Sequence, residues 1–335
     1  MNAKKAQTFI TQNAIYIVLV LLIAGIALYE PAFISVNTLR DILIQSSTRV
    51  IIALGVAFIL ITAGTDLSAG RVVGFTAVIS ASMLQIPDYS RRFFPDLPQV
   101  NVLLPILIAI IAGLICGLVN GLIVSKLNVP PFIATLGTMV IVYGVNSLYF
   151  DMDPNQSQPI GGLRPDFTKI GSGFIGSGQY SIPYIVIIAL VVAAFVWVLF
   201  NKTKLGKNMY AIGGNMQAAK VSGIDVSRNL VYIYAIAGAL YGLAGVLEAA
   251  RTGGATNNYG NMYELDAIAA CVVGGVSTTG GIGTVPGVLV GVIIFTLINY
   301  GLTFIGISPY YQLIIKGLII IAAVAFDMRK YSSKK

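Results

Sequence analysis

A chain of 335 residues that is 56% hydrophobic and only 10% charged has the make-up of a membrane protein, since soluble domains carry about 25% charged residues. It contains no histidine, which excludes imidazole metal ligands, Ser–His triads and histidine proton relays. The formal net charge of +8 comes from Lys and Arg gathered in loops and tails between apolar segments, a bias that sets membrane topology and does not indicate a nucleic-acid surface.

A spanning helix needs about 20 apolar residues. On that measure ten spans are predicted, at 15–29, 41–63, 70–86, 102–125, 131–150, 181–200, 229–250, 265–280, 284–305 and 308–326. The expected class is therefore an all-α polytopic membrane protein with about ten transmembrane helices. The first span, preceded by Lys4 and Lys5, also has the make-up of a cleaved signal peptide. The second and third are the least regular: Arg49 interrupts one, and the turn Thr65-Asp66-Leu67-Ser68-Ala69-Gly70 separates them with little polar loop, so one of the two is expected to be broken or re-entrant. With ten spans, Lys4, Lys5, Lys126, the Lys and Arg of 201–228, and Arg329, Lys330, Lys334 and Lys335 fall on one side, which predicts cytoplasmic termini. Loops 87–101 and 151–180 then face the periplasm, and the longer one reads either as a landing surface for a soluble partner or as a passive connector.

Small residues recur at every fourth position: Gly113, Gly117 and Gly121; Gly238 and Gly242; Gly287 and Gly291. In lipid that spacing lets helix backbones approach closely. Cys116 and Cys271 lie inside apolar segments and read as small packing residues. The segment Gly274 to Gly283 lacks the Lys followed by Ser or Thr of a phosphate loop and reads as a turn. No nucleotide motif appears elsewhere, so energy for any transport comes from another chain or from an ion gradient.

Polar residues in the spans are few. Arg49, Glu248 and Lys316 fall within or near spans, where either snorkelling to an interface or a buried functional charge accounts for them. Asp66 reads as a cap for the helix that follows or, with Ser68, as part of a pathway. Asn120, Thr135, Thr138, Asn146 and Asn299 are uncharged, a lining suited to a neutral, hydroxyl-rich solute; helix-to-helix hydrogen bonds explain the same residues equally well. Asp66, Ser68, Asn120, Thr135 and Asn146 are the candidate pathway residues. Between two apolar segments, Asn215 can cap and Gly223 can close a helix of about seven residues, roughly 10 Å long. So short a helix is marginal unless something packs on it, and both a docking element for a cytoplasmic partner and a plain surface turn fit these residues.

Four blocks carry a resemblance: Gly64-Thr65-Asp66-Leu67-Ser68-Ala69-Gly70; Asn128-Val129-Pro130-Pro131-Phe132-Ile133-Ala134-Thr135-Leu136-Gly137-Thr138; the Gly213 to Gly223 segment; and Tyr263-Glu264-Leu265-Asp266-Ala267-Ile268-Ala269-Ala270 followed by Gly274-Gly275. They resemble the signature blocks of bacterial ABC sugar-uptake permeases of the ribose, xylose, arabinose and galactose type, and the whole sequence is most similar to the galactose and methyl-galactoside branch. Thr65 and Ala69 depart mildly from the family's common Gly-Ile-Asp-Leu-Ser-Val-Gly. The resemblance implies a single permease domain over 1–335, working as a homodimer in the bacterial inner membrane. It also implies a cytoplasmic double-cassette ATPase that binds the ATP and Mg, and a periplasmic sugar-binding protein. No cofactor and no catalysis are then expected in this chain. The short helix becomes the coupling helix received by the ATPase, with Asn215, Ala218, Ala219, Ser222 and Gly223 as its residues, and the cytoplasmic coupling loop is 201–228. The implied cargo is galactose or methyl galactoside, with glucose as a further hexose. Ribose, xylose, an autoinducer, a nucleoside or a branched-chain amino acid on the same architecture, and an ion-coupled carrier or an intramembrane enzyme, are the alternatives.

Overall fold

The computed structural model describes residues 14–178 and 180–332. Within them the helices are α1 Ala14–Tyr29, α2 Val36–Ile61, α3 Ala69–Met83, α4 Leu103–Lys126, α5 Pro131–Phe150, α6 Pro165–Ser172, α7 Tyr184–Lys202, α8 Lys204–Gly214, α9 Met216–Val221, α10 Val226–Thr252, α11 Tyr263–Val273, α12 Val285–Phe304 and α13 Pro309–Ser332. Two short antiparallel strands, β1 Phe174–Ile175 and β2 Ile182–Pro183, join α6 to α7. Lys4, Lys5, Lys334 and Lys335, on which the placement of the termini partly rests, lie outside the described residues.

Every predicted span falls on a helix, yet the lengths differ from a uniform set of ten. Among the described residues six helices are long and apolar enough to cross a membrane: α2, α4, α5, α7, α10 and α12. α1 has 16 residues, α3 has 15 and α11 has 11; the apolar part of α13 is Pro309–Ala322. Arg49 does not interrupt α2. That helix begins on Ser35, whose hydroxyl accepts the Thr38 N–H at 3.1 Å, and from Val50 to Ile61 every residue is buried. A helix segment that is apolar all round and buried all round belongs inside the bundle, and α7, α10, α11 and α12 pack against it.

The expected break after α2 is present. Ala63 takes φ +60°, and residues 62–68 run without helix before α3. A second break was not expected. The predicted span 265–280 is the short α11, preceded by a non-helical segment that enters the bundle. Ala255 and Ile160 exchange backbone hydrogen bonds at 2.9 Å in both directions, near the C-terminal end of α3, where the Leu84 carbonyl accepts the Arg164 N–H. Five residues later Gly260 presses on Gly70 at the opposite end of α3, and Tyr259 presses on Gly74. A Cβ at residue 70 or 74 would strike the backbone of that segment. Irregular backbone at membrane depth is tolerated only where protein surrounds it, and here α3 does so.

The fourfold glycine spacing finds its partners. Gly113 and Gly117 of α4 lie against Gly238 and the Tyr234 carbonyl of α10, and Gly121 lies against Val231. Gly287 and Gly291 of α12 lie in the same way against Gly274 and the Ala270 carbonyl. The Gly-rich turn of 274–283 docks on the C-terminal end of α2, with the Gly281 N–H donating to the Ile61 carbonyl at 2.8 Å.

Candidate functional site

The loop 201–228 holds more helix than expected: α8 precedes the short α9. Asn215 caps α9, its side-chain oxygen accepting the Ala218 N–H at 2.9 Å. Gly223 closes it at φ +83°, a conformation that favours glycine. Asn215, Ala218, Ser222 and Gly223 are exposed. Ala219 is not: at 4% exposure it faces inward, packed in the main core. The expected small docking face therefore loses its central residue. Val221, 90% exposed at the tip, takes a place on the outer surface that the sequence reading did not give it. The signal was a lone valine between Lys220 and Ser222 in a polar turn.

α8 ties α9 to the bundle. Gly213 meets the Ile61 carbonyl closely, and a Cβ there would strike it. The Tyr210 hydroxyl donates to the Gly283 carbonyl at 2.7 Å; burial pushes that phenol's pKa up, so it stays a donor at neutral pH. Any force on α9 thus meets the end of α2 and the 274–283 turn within a few residues. Behind α9, Met216, Gln217 and Lys220 border a cavity of about 540 Å³ that reaches Thr62, Gly64 and Asn128.

Four of the five candidate pathway residues meet at the break between α2 and α3. The Ser68 hydroxyl donates to Asp66 Oδ1 at 2.6 Å and accepts from Asn120 Nδ2 at 2.9 Å. Asp66 Oδ1 also accepts the Ser68 N–H at 2.8 Å. Thr135 Oγ1 accepts the Leu67 N–H at 3.1 Å and donates to the Pro131 carbonyl at 2.9 Å. Asp66 therefore closes the turn just ahead of α3 instead of bonding the helix's own first N–H groups. Asn146 stands apart, donating to the Asn257 carbonyl at 3.3 Å. All five are 2% exposed or less within the protomer, and none borders the cavity behind α9.

The family described as Branched-chain amino acid transport system / permease component matches residues 38–324. The chain belongs to that permease family. Galactose/methyl galactoside import permease protein MglC of Escherichia coli (strain K12) is 55% identical over 335 residues, covering 100% of this chain and 99% of the relative. MglC of Haemophilus influenzae is 56% identical over the same 335 residues. Ribose import permease protein RbsC of Escherichia coli (strain K12) is 36% identical over 317 residues, covering 94% of this chain and 92% of the relative. No solved structure matches the permease.

The permease also gathers its membrane charges, which the sequence left as separate residues. Asp266 Oδ2 receives Arg49 Nη1 at 3.5 Å and Lys316 Nζ at 3.2 Å. The Arg49 guanidinium lies 3.4 Å from the centre of the Tyr263 ring. The Tyr263 hydroxyl donates to Glu248 Oε1 at 3.1 Å, and Glu248 pairs with Arg251 at 2.7 Å. Arg49, Glu248 and Lys316 are thus all paired rather than snorkelled. Asp266, the acid that Arg49 and Lys316 share, stood unremarked in the Tyr263 to Ala270 block.

The turn ahead of α3 gives a prediction. Asp66→Asn keeps the oxygen that the Ser68 N–H and hydroxyl use, so the folded permease should tolerate it. Asp66→Ala leaves both donors buried without that acceptor and should destabilise by about 1–3 kcal/mol. Thermal melting of the solubilised variants separates the two. An Asn variant that melts like wild type but transports as poorly as Ala would assign the carboxylate's charge a role in transport.

Proposed function

We propose that the permease is the membrane-spanning subunit of an ATP-driven importer that carries galactose or methyl galactoside, with glucose as a further hexose, from periplasm to cytoplasm. The observation that carries this reading is the end-to-end 55% identity with MglC, set against 36% with the ribose permease RbsC. In this reading two copies form the pathway in the bacterial inner membrane with their termini in the cytoplasm. A cytoplasmic ATPase with two cassettes binds ATP and Mg and performs the hydrolysis, so the chain is no enzyme. A periplasmic binding protein delivers the sugar. The capped α9, with Asn215, Ala218, Val221, Ser222 and Gly223 facing outward, supports its role as the element the ATPase holds.

The test is uptake of labelled sugar by sealed vesicles that contain the permease, its ATPase and the binding protein. Galactose uptake should require ATP and the binding protein and should survive collapse of ion gradients. Uptake abolished by ionophores alone would make the chain an ion-coupled carrier, and a preference for ribose in competition would change the cargo. The chain should also hold no tight sugar site: the permease–ATPase complex without the binding protein should give no calorimetric isotherm up to about 1 mM galactose, where binding is worth only about −4 kcal/mol. A micromolar isotherm would place selectivity in the permease itself.

A further inference from the structure

Arg49 lies 13 residues after Val36 and 12 before Ile61 in α2, so at about 1.5 Å per residue it is roughly 18–20 Å from either end of the helix. That is mid-depth in a hydrocarbon layer about 30 Å thick, too far for its side chain to reach an interface. Asp266 and Lys316 join it there from α11 and α13. Such a trio, if it served only to pin three helices, would be closed and fully bonded, because buried polar groups left unpaired are costly. This one is open. The side chains of Arg49, Asp266 and Lys316 are 29%, 13% and 25% exposed, and with Gln45 and Asn299 they border a cavity of about 90 Å³. One carboxylate serves two cations, and Asn299 Oδ1 is buried with no hydrogen-bond partner. Charges at this depth face protein, water or a polar solute, not acyl chains.

We infer that this cavity is a hydroxyl-binding subsite where the sugar is held in passing on its way through the permease, an inference that rests on the sugar-import reading above. Each sugar hydroxyl both donates and accepts. The cavity offers an acceptor in Asp266 and donors in Arg49, Lys316 and the Gln45 amide; Asn299 also borders it, and its sealed, unpaired Oδ1 reaches a hydroxyl there by rotation of the side-chain amide. Phe295 and Ile52 supply an apolar wall for the C–H face of the ring. A space of about 90 Å³ takes a few waters and is too small to enclose a hexose, so it grips one edge of the ring. Contact of that kind holds a solute weakly and releases it, as a pathway requires.

The test uses the complete complex of permease, ATPase and binding protein in vesicles, reading galactose uptake and ATP hydrolysis together. Absence of galactose uptake by the wild type would remove the import reading itself and leave this inference without a substrate. With uptake established, two variants decide. Asn299→Ala removes the unpaired acceptor and leaves the ion trio intact. Asp266→Asn with Lys316→Gln removes one charge of each sign and keeps the net charge of the cluster. Each should lower the sugar carried per ATP hydrolysed about tenfold, the loss of one or two good hydrogen bonds, while ATP hydrolysis stays responsive to the binding protein. Among monodeoxygalactoses, at least one should cross the wild type more slowly than galactose, and Asn299→Ala should close that gap. Wild-type stoichiometry with an unchanged deoxysugar profile in Asn299→Ala would overturn the inference. So would uptake and hydrolysis falling in parallel, which marks scaffolding alone. If the double variant does not assemble, Asn299→Ala decides by itself.

Discussion

Gly223→Pro is expected to abolish sugar uptake while the chain still inserts and accumulates in the membrane. Proline fixes φ near −65°, whereas Gly223 sits at +83°, and the substitution also removes the N–H that bonds the Lys220 carbonyl at 3.1 Å. The effect stays local, because nothing lies within 4 Å of where a Cβ at 223 would be. Only the end of α9 is lost, and with it the outer surface offered to the ATPase. Val221→Asp should act in the same direction with the helix intact, since Val221 is 90% exposed. Ala219→Glu should act differently: it buries a charge at an inward position and should lower thermal stability as well as uptake. Wild-type uptake by Gly223→Pro, with the ATPase still co-purifying, would sink the coupling role of α9.

Gly117→Leu is expected to prevent the proper seating of α4 on α10, with loss of folded protein and of transport together. A Cβ at Gly117 would collide with the Tyr234 carbonyl and come within 3.0 Å of Gly238. Backbone cannot turn aside as a side chain can, so the two helices must separate, at about 3 kcal/mol or more. Gly137→Ala is the control, because a Cβ on that α5 glycine meets nothing within 4 Å; it should not destabilise, and Ala's better helix propensity should stabilise by up to about 1 kcal/mol. Melting of both variants in detergent checks the pair. If Gly117→Leu melts like wild type, the close crossing of α4 and α10 is wrong.

Much of this architecture was legible in the residues because it follows from local rules. Runs of apolar residues located a helix at each predicted span, six of them among the described residues long and apolar enough to cross a membrane. The fourfold glycines marked the helices that cross closely, and Gly113 and Gly117 met Gly238. Asn215 and Gly223 marked both ends of α9 because capping depends on a few neighbouring residues. The break at Thr65 to Ser68 was visible for the same reason.

Other features needed the tertiary structure. The sequence placed the eighth span at 265–280 as a continuous helix, but α11 stops at Val273, and the polar segment ahead of it packs on α3 as non-helical backbone through Tyr259 and Gly260. Ala219 read as outward because a small residue carries no mark of direction. The pairing of Arg49 with Asp266 links residues 217 positions apart, and that register depends on where three helices stop in depth. Composition alone determined that this chain crosses a membrane, and its motifs determined the family. Which face of each span looks inward was decided only by packing: Ile51 is 0% exposed and Leu103 63%, though both sit in apolar helices. Lipid tails are as apolar as a protein core, so in a bilayer hydrophobicity tells a helix that it is in the membrane but not which of its faces meets protein.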